Sequence, residues 1–291
     1  MNILCFDVGG TFIKTGIVDG EGRITIKDNF PTPLVNCRES IPDKISEYTN
    51  RIIDNFDIDC VGISTAGQVD SEQGIITYAN ENLPDFTGCR LADDVEKSTG
   101  LKTFAENDAN CAAIGEMWMG AGKNADSFVC ITLGTGVGGS IVLNRKLYKG
   151  PHNSAGEIGY LKIGNTCLDK CGSTIGLLKD YKTLTDHDVD GIELFELIKK
   201  GNKVALRVYN DFLNNLVDGI LNTVYVIDPE LIIIGGGISS QGKLFFNEVN
   251  RLFHKKSLAV HKSINIVKAE LENSAGLTGA YYIASNRNYY F

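Results

Sequence analysis

The chain has 291 residues, 43% of them hydrophobic and 22% charged, enough to bury a large core and of the length of two ordinary domains. A net charge of -8, with no run of Lys or Arg, leaves no basic field for a phosphodiester backbone and argues against nucleic acid as a partner. No apolar run is long enough to span a bilayer and no secretory leader opens the chain, so no membrane association is expected. The eight cysteines are scattered and several fall inside apolar runs. Free buried thiols in a cytoplasmic protein are the expectation.

In chain order, residues 3–6 read as a short buried strand that runs into Asp7, Gly9, Gly10 and Thr11. Residues 12–18 read as a second strand, 19–22 as a hairpin turn and 23–26 as a third strand. Paired glycines let backbone N–H groups cradle an anion, Thr11 and Lys14 add a hydroxyl and a positive charge, and Asp7 could hold a hydrated Mg²⁺. The same residues also make a tight hairpin with no ligand. Ile41, Ile45, Tyr48, Ile52 and Phe56 recur every three or four residues, the stripe of an amphipathic helix. A buried strand over 60–64 follows, then the small-residue turn of 65–70 around Gly67, where a ligand could approach backbone. Residues 78–84, with Asn82, form a polar irregular loop that suits binding and suits a plain surface loop equally.

The stretch 104–110 reads as the end of a strand turning into an Ala-rich helix, with an amide and a carboxylate at the turn. Asn107 can donate to and accept from a hydroxyl, and Asp108 beside it can take that hydroxyl's proton. A helix cap explains the same two residues structurally. After this helix, residues 120–124 form a flexible connection and the best candidate boundary. Residues 128–133 then repeat the opening pattern: an apolar strand, a turn of Gly134, Thr135 and Gly136, a second strand, a tight turn at Asn144 and Arg145, and a third strand over 146–148. Two copies of a glycine turn opening two halves of one chain imply two related domains. Glu157 lies in a weakly charged Gly/Ala-rich stretch, either as a ligand-binding carboxylate or as a surface charge. A long apolar stripe from Ala205 to Val224 leads to a strand over 230–234 and to Gly235, Gly236 and Gly237, a platform for a base or ribose or else a tight turn into a helix. A last helical stretch begins at Ala275 and packs back on one domain.

Four of these motifs together, Asp7-Val8-Gly9-Gly10-Thr11-Phe12-Ile13-Lys14, Glu106-Asn107-Asp108-Ala109-Asn110-Cys111-Ala112, Leu133-Gly134-Thr135-Gly136-Val137-Gly138-Gly139 and Ala155-Gly156-Glu157-Ile158-Gly159, resemble the ROK family of sugar kinases and sugar-responsive repressors over nearly the whole chain. The resemblance implies the α/β, actin-like ATPase (ribonuclease H-like) fold: an N-terminal domain of 1–119 joined by a C-terminal helix of about 275–291, and a second domain of 120–274, around a nucleotide cleft. It implies ATP and Mg²⁺, with Asp7, Gly9, Gly10, Thr11 and Lys14 as the first phosphate loop, Asp7 toward the metal, Gly134, Thr135 and Gly136 as the second loop, and Gly235, Gly236 and Gly237 at the adenosine. Asp108 would be the general base, and Gly67, Asn82, Asn107, Glu157 and Tyr160 would face the sugar. The implied reaction is phosphorylation of the primary 6-hydroxyl of a hexose or N-acylhexosamine such as glucose or N-acetylmannosamine, by a homodimer. The alternatives are a β-glucoside kinase acting on a disaccharide and a non-catalytic sugar-sensing regulator, the latter disfavoured by the six residues that precede Asp7.

The sequence departs from the family at its zinc motif. Members commonly bind a structural zinc with a His and three cysteines; here Tyr160 takes the His position, and only Cys167 and Cys171 remain of the cysteine run. Two thiols and a phenol with a reference pKa of about 10 make a poor tetrahedral site, so zinc is not expected. The change resembles the zinc-less branch of the family that holds β-glucoside kinases and some proteins assigned as N-acetylmannosamine kinases.

Overall fold

The computed structural model describes residues 1–286. The elements run β1 (Ile3–Val8), β2 (Phe12–Val18), β3 (Ile24–Pro31), α1 (Cys37–Ile53), β4 (Cys60–Thr65), β5 (Gln68–Asp70), β6 (Ile75–Tyr78), α2 (Leu91–Thr99), β7 (Thr103–Asn107) and α3 (Asp108–Met119). They continue with β8 (Phe128–Leu133), β9 (Val137–Leu143), β10 (Lys146–Tyr148), β11 (Lys162–Ile163), β12 (Thr166–Cys167), α4 (Leu168–Cys171), α5 (Thr174–Thr185), α6 (Gly191–Lys199), α7 (Lys203–Ile227), β13 (Leu231–Gly235), α8 (Lys243–Lys256), β14 (Asn265–Lys268) and α9 (Ala275–Ser285). The helix expected over 275–291 is thus α9, and its last five residues, from 287, lie outside the described residues.

One sheet has the order β3-β2-β1-β4-β7 and another the order β10-β9-β8-β13-β14, so the duplicated sequence pattern appears as a duplicated strand order. In the first, β1 pairs antiparallel with β2 and parallel with β4, and β4 parallel with β7. In the second, β13 lies parallel between β8 and β14. Two compact units divide the chain. Met1–Asn124, Val142–Ala155 and the residues from Glu270 on form one; Ala125–Ile141 and Gly156–Ala269 form the other.

Alternation along β1 sets the two faces of the first sheet. Leu4, Phe6 and Val8 pack with Ile41, Ile45 and Ile52 of α1 and with Leu91 and Val95 of α2 in one apolar core. The α1 stripe ends at Ile53, one turn short of the expected Phe56, which lies beyond the helix and is exposed. The opposite face of the sheet receives α9 through small residues. A side-chain carbon on Gly62 of β4 would lie 2.5 Å from the Ala280 carbonyl oxygen, one on Gly115 of α3 would lie 2.7 Å from that of Ala275, and one on Gly279 of α9 would run into the carbonyl of Cys111. Helix α9 therefore touches backbone where a side chain would hold it off.

The carboxylate of Glu116, fully buried, holds this corner together. It accepts from the backbone N–H groups of Ala121 at 2.8 Å, Glu270 at 3.1 Å and Leu271 at 2.8 Å, which satisfies a charge that would otherwise be costly to bury. In the second unit the stripe read along Ala205, Val208, Phe212, Leu216, Ile220 and Val224 is buried along α7. The third strand of the opening meander is longer than expected, reaching Pro31, with a register shift opposite Thr15 and Ile17.

Two outcomes follow from this packing. Gly279→Ala should lower unfolding stability by about 1–3 kcal/mol in urea titration, because the added carbon has no space between α9 and α3. Seven of the eight cysteines are buried and Cys167 is partly exposed, so a thiol reagent should modify Cys167 rapidly in the native protein and the others only on unfolding. Burial also raises the Cys5 and Cys111 thiols well above their ordinary range, keeping them protonated and unreactive.

Candidate active site

The first unit gathers its polar residues at the carboxyl ends of three adjacent parallel strands, where open α/β sheets commonly bind ligands. Register places Asp7 of β1 beside Ser64 of β4, and Ser64 beside Glu106 of β7, one polar row across the sheet. Ser64 Oγ donates to Asp7 Oδ1 at 2.7 Å. Lys14, the antiparallel partner of Asp7 on β2, brings its ammonium to 3.5 Å from Oδ2. A side-chain carbon on Gly276 would lie 2.7 Å from the Asp7 carboxyl, so the first turn of α9 closes over this residue because position 276 is glycine.

Between β1 and β2 the chain turns through Gly9, Gly10 and Thr11. Gly9 N–H donates to the Phe12 carbonyl at 3.1 Å, and Thr32 fastens the loop from outside, its Oγ donating to the Gly9 carbonyl at 2.7 Å and its N–H to the Thr11 carbonyl at 3.0 Å. Thr11 is exposed. Asn82 is exposed in the loop after β6, where a side-chain carbon on Gly10 would come within 3.7 Å of its Cβ; buried Leu83 and Phe86 anchor that loop.

The turn of Asn107 and Asp108 is a cap and something more. Asn107 Oδ1 accepts from Asn110 N–H at 3.0 Å, the side-chain cap of α3. Its amide nitrogen donates to the Gly67 carbonyl at 2.8 Å and to Asp108 Oδ1 at 3.0 Å. The Ala109 N–H donates to the same Oδ1 at 2.8 Å. Gly67 adopts φ +101°, and a side chain there would strike the Tyr78 carbonyl, so glycine is what lets its backbone meet Asn107. The result is an exposed carboxylate at the N-terminal end of a helix, its Oδ1 bonded by both the Asn107 amide and the Ala109 N–H.

In the second unit, Gly134, Thr135 and Gly136 connect β8 to β9. Gly134 N–H donates to the Gly136 carbonyl at 3.0 Å, and Asp169 of α4 braces the turn by accepting from Val137 N–H at 2.8 Å. Thr135 is exposed. Gly235 ends β13, next to β8 in parallel register, and Gly236 at φ +85° packs so tightly on the Leu133 backbone that any side chain would collide with it. The two glycine turns of this unit are therefore neighbours. The glycines at 235–237 lead into a helix, first a short 3-10 helix, Gly237–Gln241, and then α8. Glu157 precedes another 3-10 turn, Ile158–Tyr160, and Tyr160 ends it; both are exposed, Tyr160 by 65%.

Residues that sequence reasoning passed over are the braces: Ser64, Thr32, Asp169 and Gly276. A polar residue ending an apolar strand and a glycine opening a helix were the only available signals. The two residual cysteines make local contacts, Cys171 Sγ donating to the Cys167 carbonyl at 3.3 Å, and burial raises the Cys171 thiol. Among the described residues no group of three or more His, Cys, Asp or Glu side chains is arranged to hold a metal ion. Mg²⁺ asks less of the protein, since one or two carboxylates suffice when phosphates and water fill its other positions, and the first unit offers one such carboxylate in the partly exposed Asp7.

Asn107→Ala removes the cap and one donor to Asp108 together. It should cost about 1 kcal/mol of stability in denaturant unfolding, with faster amide exchange confined to the first turn of α3.

The ROK family profile matches residues 3–287. A β-glucoside kinase of Listeria innocua is 33% identical, covering 97% of this chain and 97% of its own. A solved structure from Listeria monocytogenes, provisionally assigned as an N-acetylmannosamine kinase, has TM-score 0.87 at 31% identity, over 97% of this chain and 98% of that one. A ROK glucokinase from Streptomyces griseus, solved with glucose and AMPPNP, has TM-score 0.84 at 29% identity, over 97% of this chain and 99% of its own. With its duplicated α/β sheets and polar strand ends, the chain belongs to the ROK family and has the actin-like ATPase fold.

Proposed function

We propose that this chain is an ATP-dependent sugar kinase that phosphorylates the primary 6-hydroxyl of a hexose or an N-acylhexosamine. The observation that carries the reading is the Asp108 carboxylate, exposed at the N-terminus of α3 and oriented by the bonds of the Asn107 amide and Ala109 N–H to its Oδ1. A sugar hydroxyl is a poor nucleophile at neutral pH, and phosphoryl transfer demands mainly positioning and charge neutralisation. Asp108 takes the proton of the attacking hydroxyl as the new O–P bond forms and the bond to the ADP oxygen breaks.

Asn107 keeps a second lone pair on Oδ1 for a sugar hydroxyl beyond its cap bond, and the turn of Gly67 and the loop of Asn82 supply further polar groups. Glu157 and Tyr160 supply the remaining sugar contacts. In the loop of Gly9, Gly10 and Thr11, where Gly9 N–H is held by the Phe12 carbonyl, Gly10 and Thr11 offer backbone N–H and hydroxyl donors to phosphate oxygens, and Lys14 adds a cation. In the second unit Thr135 and Gly136 carry the same kinds of donor, beside Gly134 whose N–H is held by the Gly136 carbonyl, while the exposed backbone of Gly236 and Gly237, following Gly235 at the strand end, is offered to adenosine. Asp7 is the residue that would hold Mg²⁺, which when bound neutralises charge on the phosphates.

A β-glucoside substrate is favoured by two observations, the 33% identity to the Listeria innocua enzyme and the exposed aromatic side chain of Tyr160. Glucose, mannose, N-acetylmannosamine, N-acetylglucosamine and cellobiose in a coupled ADP-release assay separate the two readings by which sugar has the highest kcat/KM. Turnover of none would remove both. Asp108→Asn should lower kcat by at least about a hundredfold while nucleotide affinity, measured by calorimetry, changes little. Near-normal kcat in that variant would sink the general-base role.

A further inference from the structure

Beneath the exposed turn lies a buried ion pair that the proposed chemistry does not use. Glu106 is fully buried, and its two carboxylate oxygens face different ways. Oε1 accepts from Asn107 N–H at 2.7 Å and from Asn110 Nδ2 at 3.1 Å, so it grips the turn and the first turn of α3 at once. Oε2 accepts from Lys149 Nζ at 2.9 Å and Ser71 Oγ at 2.6 Å. The Lys149 side chain is only 9% exposed; its ammonium also donates to the Val69 carbonyl at 3.0 Å and contacts Ser71 Oγ.

We propose that Lys149 is a positioning residue for the turn of Asn107 and Asp108, acting through Glu106. The inference rests on the kinase reading for its effect on turnover but not for its effect on the turn. A buried carboxylate keeps its geometry only while its partners are complete. Glu106 adjoins Asn107 in the chain and bonds its N–H, so any shift of Glu106 moves the amide that orients Asp108. If the pair only tethered the segment of Lys149, its loss would loosen residues near 149 and leave the turn unchanged. The sharing of one carboxylate between ammonium and turn makes the two inseparable.

A cavity of about 570 Å³, lined by Asp70, Ser71, Tyr148, Lys149 and Asn153 among others, adjoins this pair. It provides a route by which a small amine can replace a deleted ammonium.

The test uses the full chain. In Lys149→Met, amide hydrogen exchange at Asn107 and Asn110 should quicken, and kcat should fall by about a hundredfold at little change in KM for ATP, the pattern of a displaced reacting group. Lys149→Arg should recover much of the loss. In Lys149→Ala, n-propylammonium should raise kcat saturably, whereas the wild type should not respond. If Lys149→Met does not fold, the double variant Glu106→Gln with Lys149→Met removes the buried charge while keeping an acceptor for Asn107 N–H, and should restore both folding and slow exchange. Unchanged exchange and kcat in folded Lys149→Met, or rapid exchange at Asn107 in a folded double variant, would overturn the inference. A wild type that phosphorylates no sugar would sink the kinase reading alone, and the exchange measurements would still decide this one.

Discussion

One amide side chain carries most of the local order at the proposed catalytic turn. Asn107 uses its oxygen to cap α3 and its nitrogen to bind both the Gly67 carbonyl and the Asp108 carboxylate. Each bond is worth only about 1 kcal/mol net, yet together they tie a strand end, a glycine loop and a helix start to one point. Capping and orientation are thus one arrangement. The orphan N–H groups of a new helix need an acceptor, and the residue that supplies it is automatically placed where it can also direct its neighbour.

That arrangement stands on the polar row of Asp7, Ser64 and Glu106, and polar groups in a buried row must all be satisfied. Ser64 serves Asp7; Asn110, Ser71 and Lys149 serve Glu106. Above the row the helices approach closely because glycines at 115, 276 and 279 remove the side chains that would hold them away. Small residues and complete hydrogen bonding do the same task here, allowing charged groups to sit inside a packed unit.

Much of this could be read in the chain. The strand ending at Asn107, the helix after it, the repeated glycine turns and the apolar stripe of α7 follow from local periodicity and turn chemistry, which depend on neighbours within a few residues. The error in α1 was also local: the helix stops at Ile53 instead of reaching Phe56. Periodicity marks a face and leaves the end of the element undetermined.

By itself the sequence determined the α/β class, the order of the motifs, and the presence of Asn107 and Asp108 at a strand-to-helix turn, because each is written in adjacent residues. Only the tertiary structure decided which groups brace them. Lys149 lies 43 positions from Glu106 and Ser71 lies 35 from it, separations across which no turn or stripe carries a signal. Gly276 is near Asp7 for the same reason: α9 returns across the sheet from the far end of the chain. The stretch 104–110 declared a carboxylate at a helix start; the packing of distant segments determines how firmly that carboxylate is held.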